Sequence, residues 1–407
     1  MRAISRRNLL GMGVGAAAAL GAAGCSSTYS GAGVDKRRVK NSVQARPRLI
    51  GDGSTANYGA QPGQPTAPER LEPGMTPPQF VVFSWDGAGE VGNGLFPRFL
   101  QLARDHGAAM TFFLSGLYLL PESQRYLYEP PNNPVGASAI GYLSDEHIKD
   151  TLKNVREAWL DGHEIGTHFN GHFCTGTGTV RHWTPHQWQS EIDQAVDFVT
   201  KWRTNTGFTD VDPLPFDYRK ELVGGRTPCL LGQRNLLPVA RELGWRYDAS
   251  SPGGLQMWPK KKRGLWDYPL QQIPFPGHSF EVLSMDYNIL ANQSKHSTKA
   301  PPANYPGWRR QAADAYISGF RRAYETNRAP LFIGNHFEEW NGGIYMDAVE
   351  DALKHIANEQ NRDVHLVSFR QLTDWLDAQD PEVLSRLQQL PVGRQPPEGW
   401  KAYLSVA

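Results

Sequence analysis

Apolar and polar positions along this chain fall into short β-prone runs separated by stretches with helical spacing. Gln79-Phe80-Val81-Val82-Phe83-Ser84 is the first apolar run and reads as a buried strand. Pro97 to His106 follows as a helix with Phe99, Leu100 and Ala103 on one face, and Met110 to Leu114 reads as a second strand. Ser144 is placed to cap a helix in which Ile148, Leu152, Val155 and Trp159 recur at helical spacing, with Gly162 as its stop. A third strand is expected around Glu164 to Gly166. Thr184 with Gln187 forms a capping-box pattern ahead of Trp188, Ile192, Val196 and Val199. Further on, Pro238 to Gly244 reads as helical and Arg246 to Ser250 as extended. Leu331 to Gly334 reads as a strand, Asp347 to Ile356 as a helix, and Val364 to Val367 as a last strand.

Strands alternating with helices predict an α/β protein with a largely parallel sheet. The regular alternation suits a barrel better than a nucleotide-binding fold. Gly87-Ala-Gly-Glu-Val-Gly92 lacks the helix-opening context of a phosphate cradle. In barrels, loops at the C-terminal strand ends carry the chemistry, so the polar residues just past each strand are the candidates.

The two ends of the chain read differently. Ser5-Arg6-Arg7-Asn8-Leu9-Leu10 precedes an Ala/Gly/Leu run to Ala23. At about 15 residues that run is shorter than the roughly 20 a spanning helix needs. A basic start, a short apolar core and small residues mark residues 1–24 as an export signal of twin-arginine type. Ala22-Ala23-Gly24-Cys25 resembles a lipoprotein cleavage box. The expected product is extracytoplasmic, held to a membrane by a lipid on Cys25. Residues 25–78, rich in Gly, Pro, Ser and Gln, read as a flexible linker. Residues 79–380 read as the catalytic-type domain and 381–407 as an irregular tail.

Composition narrows the function. The 407 residues carry 42 Lys plus Arg against 41 Asp plus Glu, a formal charge of +1, which argues against a nucleic-acid binder. Three cysteines do not make a disulfide scaffold. Cys174 and Cys229 are expected near the barrel mouth, either paired or as free thiols.

Metal-ligand residue types stand at two strand ends: Asp86 after the first, and His168 and His172 after the third, within Gly162-His-Glu-Ile-Gly-Thr-His-Phe-Asn-Gly-His172. Two imidazoles and a carboxylate suit a zinc-like ion with open positions. His182 and His186 repeat the spacing at a helix entry and read as surface residues. His163-Glu164 lacks the second His four residues on that a helical zinc-peptidase motif requires.

In order along the chain, Asp86-Gly87, His163-Glu-Ile-Gly-Thr-His-Phe-Asn-Gly-His172, Gly225-Arg226-Thr227-Pro228 and Gly334-Asn-His336 resemble the polysaccharide deacetylase (NodB-homology) family. Leu243-Gly-Trp-Arg-Tyr-Asp-Ala-Ser-Ser251 and Asn327-Arg-Ala-Pro-Leu-Phe-Ile-Gly-Asn-His336 are similar to its chitin-deacetylase branch. The resemblance implies a distorted (β/α) barrel and metal-dependent removal of N- or O-acetyl groups from a glycan. It further implies Asp86, His168 and His172 as ligands of a divalent metal, zinc being the expected ion. His336 is implied as the acid that protonates the leaving group, Arg226 as the arginine steering the base, and Asp248 as the aspartate tuning His336. A backbone N–H near Cys229 is implied as an oxyanion donor.

The family's first motif has two adjacent aspartates, base then ligand. With Asp86 taken as the ligand, Trp85 falls at the base, and indole accepts no proton near neutral pH. Glu90, Glu338 and Glu339 are then the carboxylates available in its place. Cys229 replaces a tyrosine, and Gly334 an apolar residue of the acetyl pocket. The expectation is an exported glycan deacetylase. The alternative is a catalytically silent carbohydrate-binding envelope protein on the same fold.

Overall fold

The computed structural model describes residues 47–405 apart from 66 and 359–362. The expected export signal, Cys25 and the first part of the expected linker lie outside the described residues. Among the described residues no helix is long and apolar enough to cross a membrane.

The first strand, β1 (Gln79–Asp86), is buried along its whole length, as a central parallel strand covered on both faces must be. It is flanked in parallel by β2 (Thr111–Leu114) and, through β2, by β3 (Glu164–Thr167). Further along, β4 (Tyr247–Asp248) pairs in parallel with β5 (Leu265–Asp267). On the other side of β1 lies β6 (Leu331–Asn335), and β7 (Val364–Leu366) joins the start of β1.

The ladder does not stop at β3. Thr167 bridges in parallel to Gly225, and the Ala249 N–H donates to the Gly225 carbonyl at 3.0 Å, which reaches β4. Past β5 the Ser284 N–H donates to the Gln271 carbonyl at 2.8 Å, and the Gly334 N–H to the Ser284 carbonyl at 2.9 Å. Backbone pairing thus returns to β6. The fold is α/β, a parallel sheet curled into a closed but irregular barrel, because several staves are only one or two paired residues long.

Helices form the outer layer where their periodicity and caps predict. The first, α1 (Leu95–His106), buries Phe96, Phe99 and Leu100. In α2 (Asp145–Leu160) the Ser144 hydroxyl accepts the His147 N–H. In α3 (Pro185–Thr200) both bonds of the Thr184/Gln187 capping box form. The next helix, α4 (Gln233–Glu242), starts earlier than expected and contains Pro238. Two more were not anticipated, α5 (Asp286–Ser294) and α6 (Tyr305–Tyr324). The outer layer ends with α7 (Trp340–Ile356) and α8 (Phe369–Ala378).

The folded body starts earlier and ends later than expected. A hairpin of Arg48–Ile50 with Thr55–Asn57 is held by the Ala56 N–H on the Leu214 carbonyl at 2.8 Å and by Trp202 Nε1 on the Ser54 carbonyl at 2.7 Å. Gln64 Nε2 then donates to the Gly162 carbonyl and the Leu71 N–H to Gln379 Oε1. From 47 onward the expected linker is therefore pinned by side-chain and backbone bonds that its low hydrophobicity conceals. The expected irregular tail carries helices at Pro381–Leu387 and Gly399–Tyr403. Val383, Leu387 and Leu404 bury against Phe80 and Trp375.

Candidate functional site

Strand alternation decides what β1 offers. Successive side chains point to opposite faces. Ser84 and Asp86 face the barrel interior, where Arg226 Nη1 donates to Ser84 Oγ at 2.9 Å and to Asp86 Oδ1 at 2.8 Å. Trp85 faces the helices, stacked on Phe337 at 4.5 Å and tilted against Phe99 at 4.3 Å, with Nε1 on Met110 Sδ. Trp85 is therefore a core residue between sheet and α1. The expectation that it occupies a base's place is overturned, because a carboxylate at 85 would point into the aromatic packing. Arg226 pairs with Asp86, so the place of the arginine-steered carboxylate belongs to Asp86, and the position after it is Gly87.

Arg226 is fully buried, and its Nε donates to the Ala249 carbonyl at 2.9 Å. The guanidinium lies over the Phe113 ring at 4.9 Å, a cation–π contact within a desolvated wall. Burial works to raise the Asp86 pKa, but the Arg226 charge, and then His168 and His336, outweigh it and hold the carboxyl below its ordinary value.

The His168–His172 loop leaves β3 under backbone constraint. Phe169 and His172 both have positive φ, 62° and 59°, which non-glycine residues adopt at a cost. The loop is pinned by the Asn170 N–H on Glu191 Oε1 at 3.0 Å and the Gly171 N–H on the Tyr128 hydroxyl at 2.9 Å. Glu191 is buried, which pushes its pKa up to about 7. His168 Nδ1 lies 2.8 Å from the Arg226 carbonyl, which fixes its ring and leaves Nε2 for the cavity. The two imidazole rings stand 5.1 Å apart. Burial lowers the His168 pKa to about 3 and also lowers that of His172, so both are neutral and able to offer lone pairs.

His336 follows β6 and behaves oppositely. Its Nδ1 is 2.8 Å from Asp286 Oδ1, and its main-chain N–H donates to Asp286 Oδ2 at 2.7 Å. Burial disfavours its charge, yet Asp286, assisted by Asp86 and Glu338, raises its pKa to about 9. His336 is therefore an imidazolium at neutral pH. Asp248, expected as its partner, instead sits behind Arg226. Its Oδ1 accepts the Ser250 hydroxyl at 2.5 Å, and burial raises its pKa to about 7. The partner that sequence reasoning missed is Asp286, whose one local signal is its place directly after the apolar run Val282 to Met285.

Asp86, His168, His172 and His336 line one cavity of about 710 Å³, together with Tyr118 and Met285. Glu338 lines it as well, whereas Glu90 turns back to accept the Gly92 and Gly94 N–H groups at 2.8 and 3.0 Å. Gly334 lies within β6, where an added Cβ would come 2.9 Å from Met285 Cε, so Met285 supplies the apolar lining there. His182 and His186 are exposed, as expected. Cys174 and Cys229 are joined by a disulfide at the cavity wall.

The expected metal ligands are brought to one cavity but not to one point. Among the described residues, the three side chains whose ligand atoms all lie within 4.8 Å of one another are His172, Cys174 and Cys229, and the two sulfurs of that trio are spent on each other. Asp86, His168 and His172 do not form such a set, and one Asp86 oxygen is committed to Arg226. The residues present do not fit the three-ligand metal site that the resemblance implies. The chemistry they supply by themselves is proton transfer.

No family profile matches the chain and no curated protein matches it. Solved structures similar to it include a "putative polysaccharide deacetylase" from Mycobacterium smegmatis, at 14% identity, TM-score 0.42, covering 82% of this chain and 99% of that one. A CE4 family pseudoenzyme from Bacillus anthracis is similar at 12% identity, TM-score 0.38, covering 76% and 70%. A family 4 carbohydrate esterase from Streptomyces lividans is similar at 12% identity, TM-score 0.33, covering 70% and 91%. The likeness is one of fold, at 12–14% identity.

Proposed function

We propose that the cavity removes acetyl groups from an acetylated glycan by acid–base chemistry, with Asp86 as base and His336 as acid. The observation that carries this reading is the pairing of opposites in one cavity. A carboxylate is kept ionised by Arg226, and an imidazole is kept protonated by Asp286. Sites that separate the ionisation of two groups in this way assign the acid and the base.

Asp86 Oδ1 is engaged by the guanidinium, and Oδ2 is the acceptor offered to a water. That water adds to the acetyl carbonyl while its proton passes to Asp86. His336 donates its proton to the departing amine or alkoxide, and acetate and a free sugar amine or hydroxyl result. Asp286 holds the His336 ring by Nδ1, which leaves Nε2 as the donating atom. General acid and base assistance of this kind contributes roughly 10²–10⁴-fold per group. Tyr287 and Trp340 line the same cavity and offer flat aromatic surface to sugar rings.

The test is acetate release by the purified protein from acetylated chito-oligosaccharides, peptidoglycan and acetylxylan. The His336→Ala variant is expected to lose release by about 10²-fold or more. Equal release by both proteins, or none above that variant on all three substrates, rejects the reading. Binding without turnover, the second reading, is favoured by the incomplete ligand set. It would show as glycan affinity in the absence of acetate release. Export and lipid anchoring through Cys25 belong to the same proposal.

A further inference from the structure

We infer that Gly87 sets how tightly this cavity holds a divalent cation, and that the chain as it stands offers such an ion His168 and His172 alone. This goes beyond the acid–base reading and does not depend on turnover.

Three observations meet at this residue. The first is that Asp86 does not join the two imidazoles in one ligand set. Asp86 is bound through Oδ1 to a fully buried guanidinium at 2.8 Å, and moving it toward an ion would leave Arg226 without its counter-charge. The second is that His168 is already held as a metal-binding histidine is. Its Nδ1 is fixed on the Arg226 carbonyl at 2.8 Å, and the other nitrogen is left for the cavity. The third is the space at Gly87. A Cβ built there makes only ordinary contacts, 3.8 Å to Ser115 Oγ, 3.9 Å to His168 Cδ2 and 3.9 Å to Tyr118 Cε2. A side chain would therefore leave the backbone beside the His168 ring and enter the cavity without a clash.

The backbone at Gly87 has φ +63°, a left-handed conformation in which Asp and Asn are the best tolerated residues after glycine. An aspartate there would give two imidazoles and one carboxylate, the ligand number of an open zinc site. The natural residue supplies no such group, and the disulfide removes the two sulfurs nearest His172.

The experiment is calorimetric titration of the metal-stripped protein with Zn²⁺ and Co²⁺, the Co²⁺ absorption spectrum serving as a second readout. Gly87→Asp is expected to tighten binding by about 100-fold and to bring up an intense low-symmetry Co²⁺ spectrum. Gly87→Asn carries the same backbone cost and should not tighten binding. His168→Ala in the Gly87→Asp background should abolish the gain. In the natural protein, His168→Ala should abolish the weak affinity. This arm remains informative if Gly87→Asp fails to fold. Tight stoichiometric binding by the natural protein that Asp86→Asn destroys, or a folded Gly87→Asp protein with no gain, overturns the inference. Because every readout is metal binding, a failure of the hydrolase reading leaves this result standing.

Discussion

Two buried carboxylates serve the same cavity, Asp86 from its wall and Asp286 from behind His336, and their partners give them different lives. Asp86 is paired with a guanidinium that stays charged at every accessible pH, so at rest it is an anion with an oxygen open to a proton. Asp286 is paired with an imidazole, so its charge holds a proton on His336 that can be given away. The same residue type thus serves as a proton acceptor in one place and as the keeper of an acid in the other. The partner, and not the carboxylate, decides which.

The harshest way to break the comparison is to put a third carboxylate on the opposite face of the same strand. Trp85→Asp would bury a charge among Phe99, Phe337 and Met110 with no partner and leave an indole-sized hole. We expect a loss of more than about 5 kcal/mol, from cavity and unpaired charge together, seen as failure to fold or as early urea unfolding. A folded Trp85→Asp protein with raised acetate release would place residue 85 in the site after all.

Next in size is Arg226→Met, which leaves Asp86 ionised and unpartnered. Removal of one member of a buried pair costs about 3–5 kcal/mol. Urea unfolding at pH 7 should show that loss, and Asp86→Asn in the same protein should recover part of it. The folded pKa of Asp86 is depressed, so its contribution is present above the ordinary carboxylate value of about 3.9 and fades as pH falls through the lower folded value. A loss of less than about 1 kcal/mol at pH 7 would mean that the pair does not hold Asp86 as described.

The gentlest probe is Asp286→Asn. The His336 pKa, followed by proton NMR of the ring, should fall from about 9. In the natural protein the raised value stabilises the fold fully below about pH 6.5, the ordinary histidine value, and the contribution is lost as pH climbs through about 9. The stability gap between variant and natural protein should therefore be widest near pH 6 and narrow at alkaline pH. An unchanged His336 titration would show that Asp286 does not hold the proton.

What the sequence disclosed depended on whether a signal was local. The capping box of α3, the helix faces and the apolar run of β1 are written within a turn or two, and each formed as read. The loop from His168 to His172 was equally legible, because its histidines directly follow a strand. The facing of β1 was not. All eight of its residues are buried, so no alternation of polar and apolar marks the inward side. Whether Trp85 or Asp86 entered the site could be settled only by the position of Arg226. The Asp286–His336 pair spans 50 residues, and the place of Asp286 after Val282 to Met285 does not reveal its partner. Helix α6 was hidden for another reason. It buries Ala312, Ala313, Ala315 and Gly319, small residues that give little periodic contrast.

The Cys174–Cys229 link joins the loop that follows His172 to the turn that follows Arg226, closing 55 residues into a covalent hoop. By chain-entropy reasoning a hoop of that length restrains the unfolded chain by about 4 kcal/mol. Its effect on recognition is more specific. The two fastened loops cannot part from each other to open or close the mouth between them. On that side of the mouth a ligand meets a set outline, and separating the two loops takes an electron donor and not a hinge.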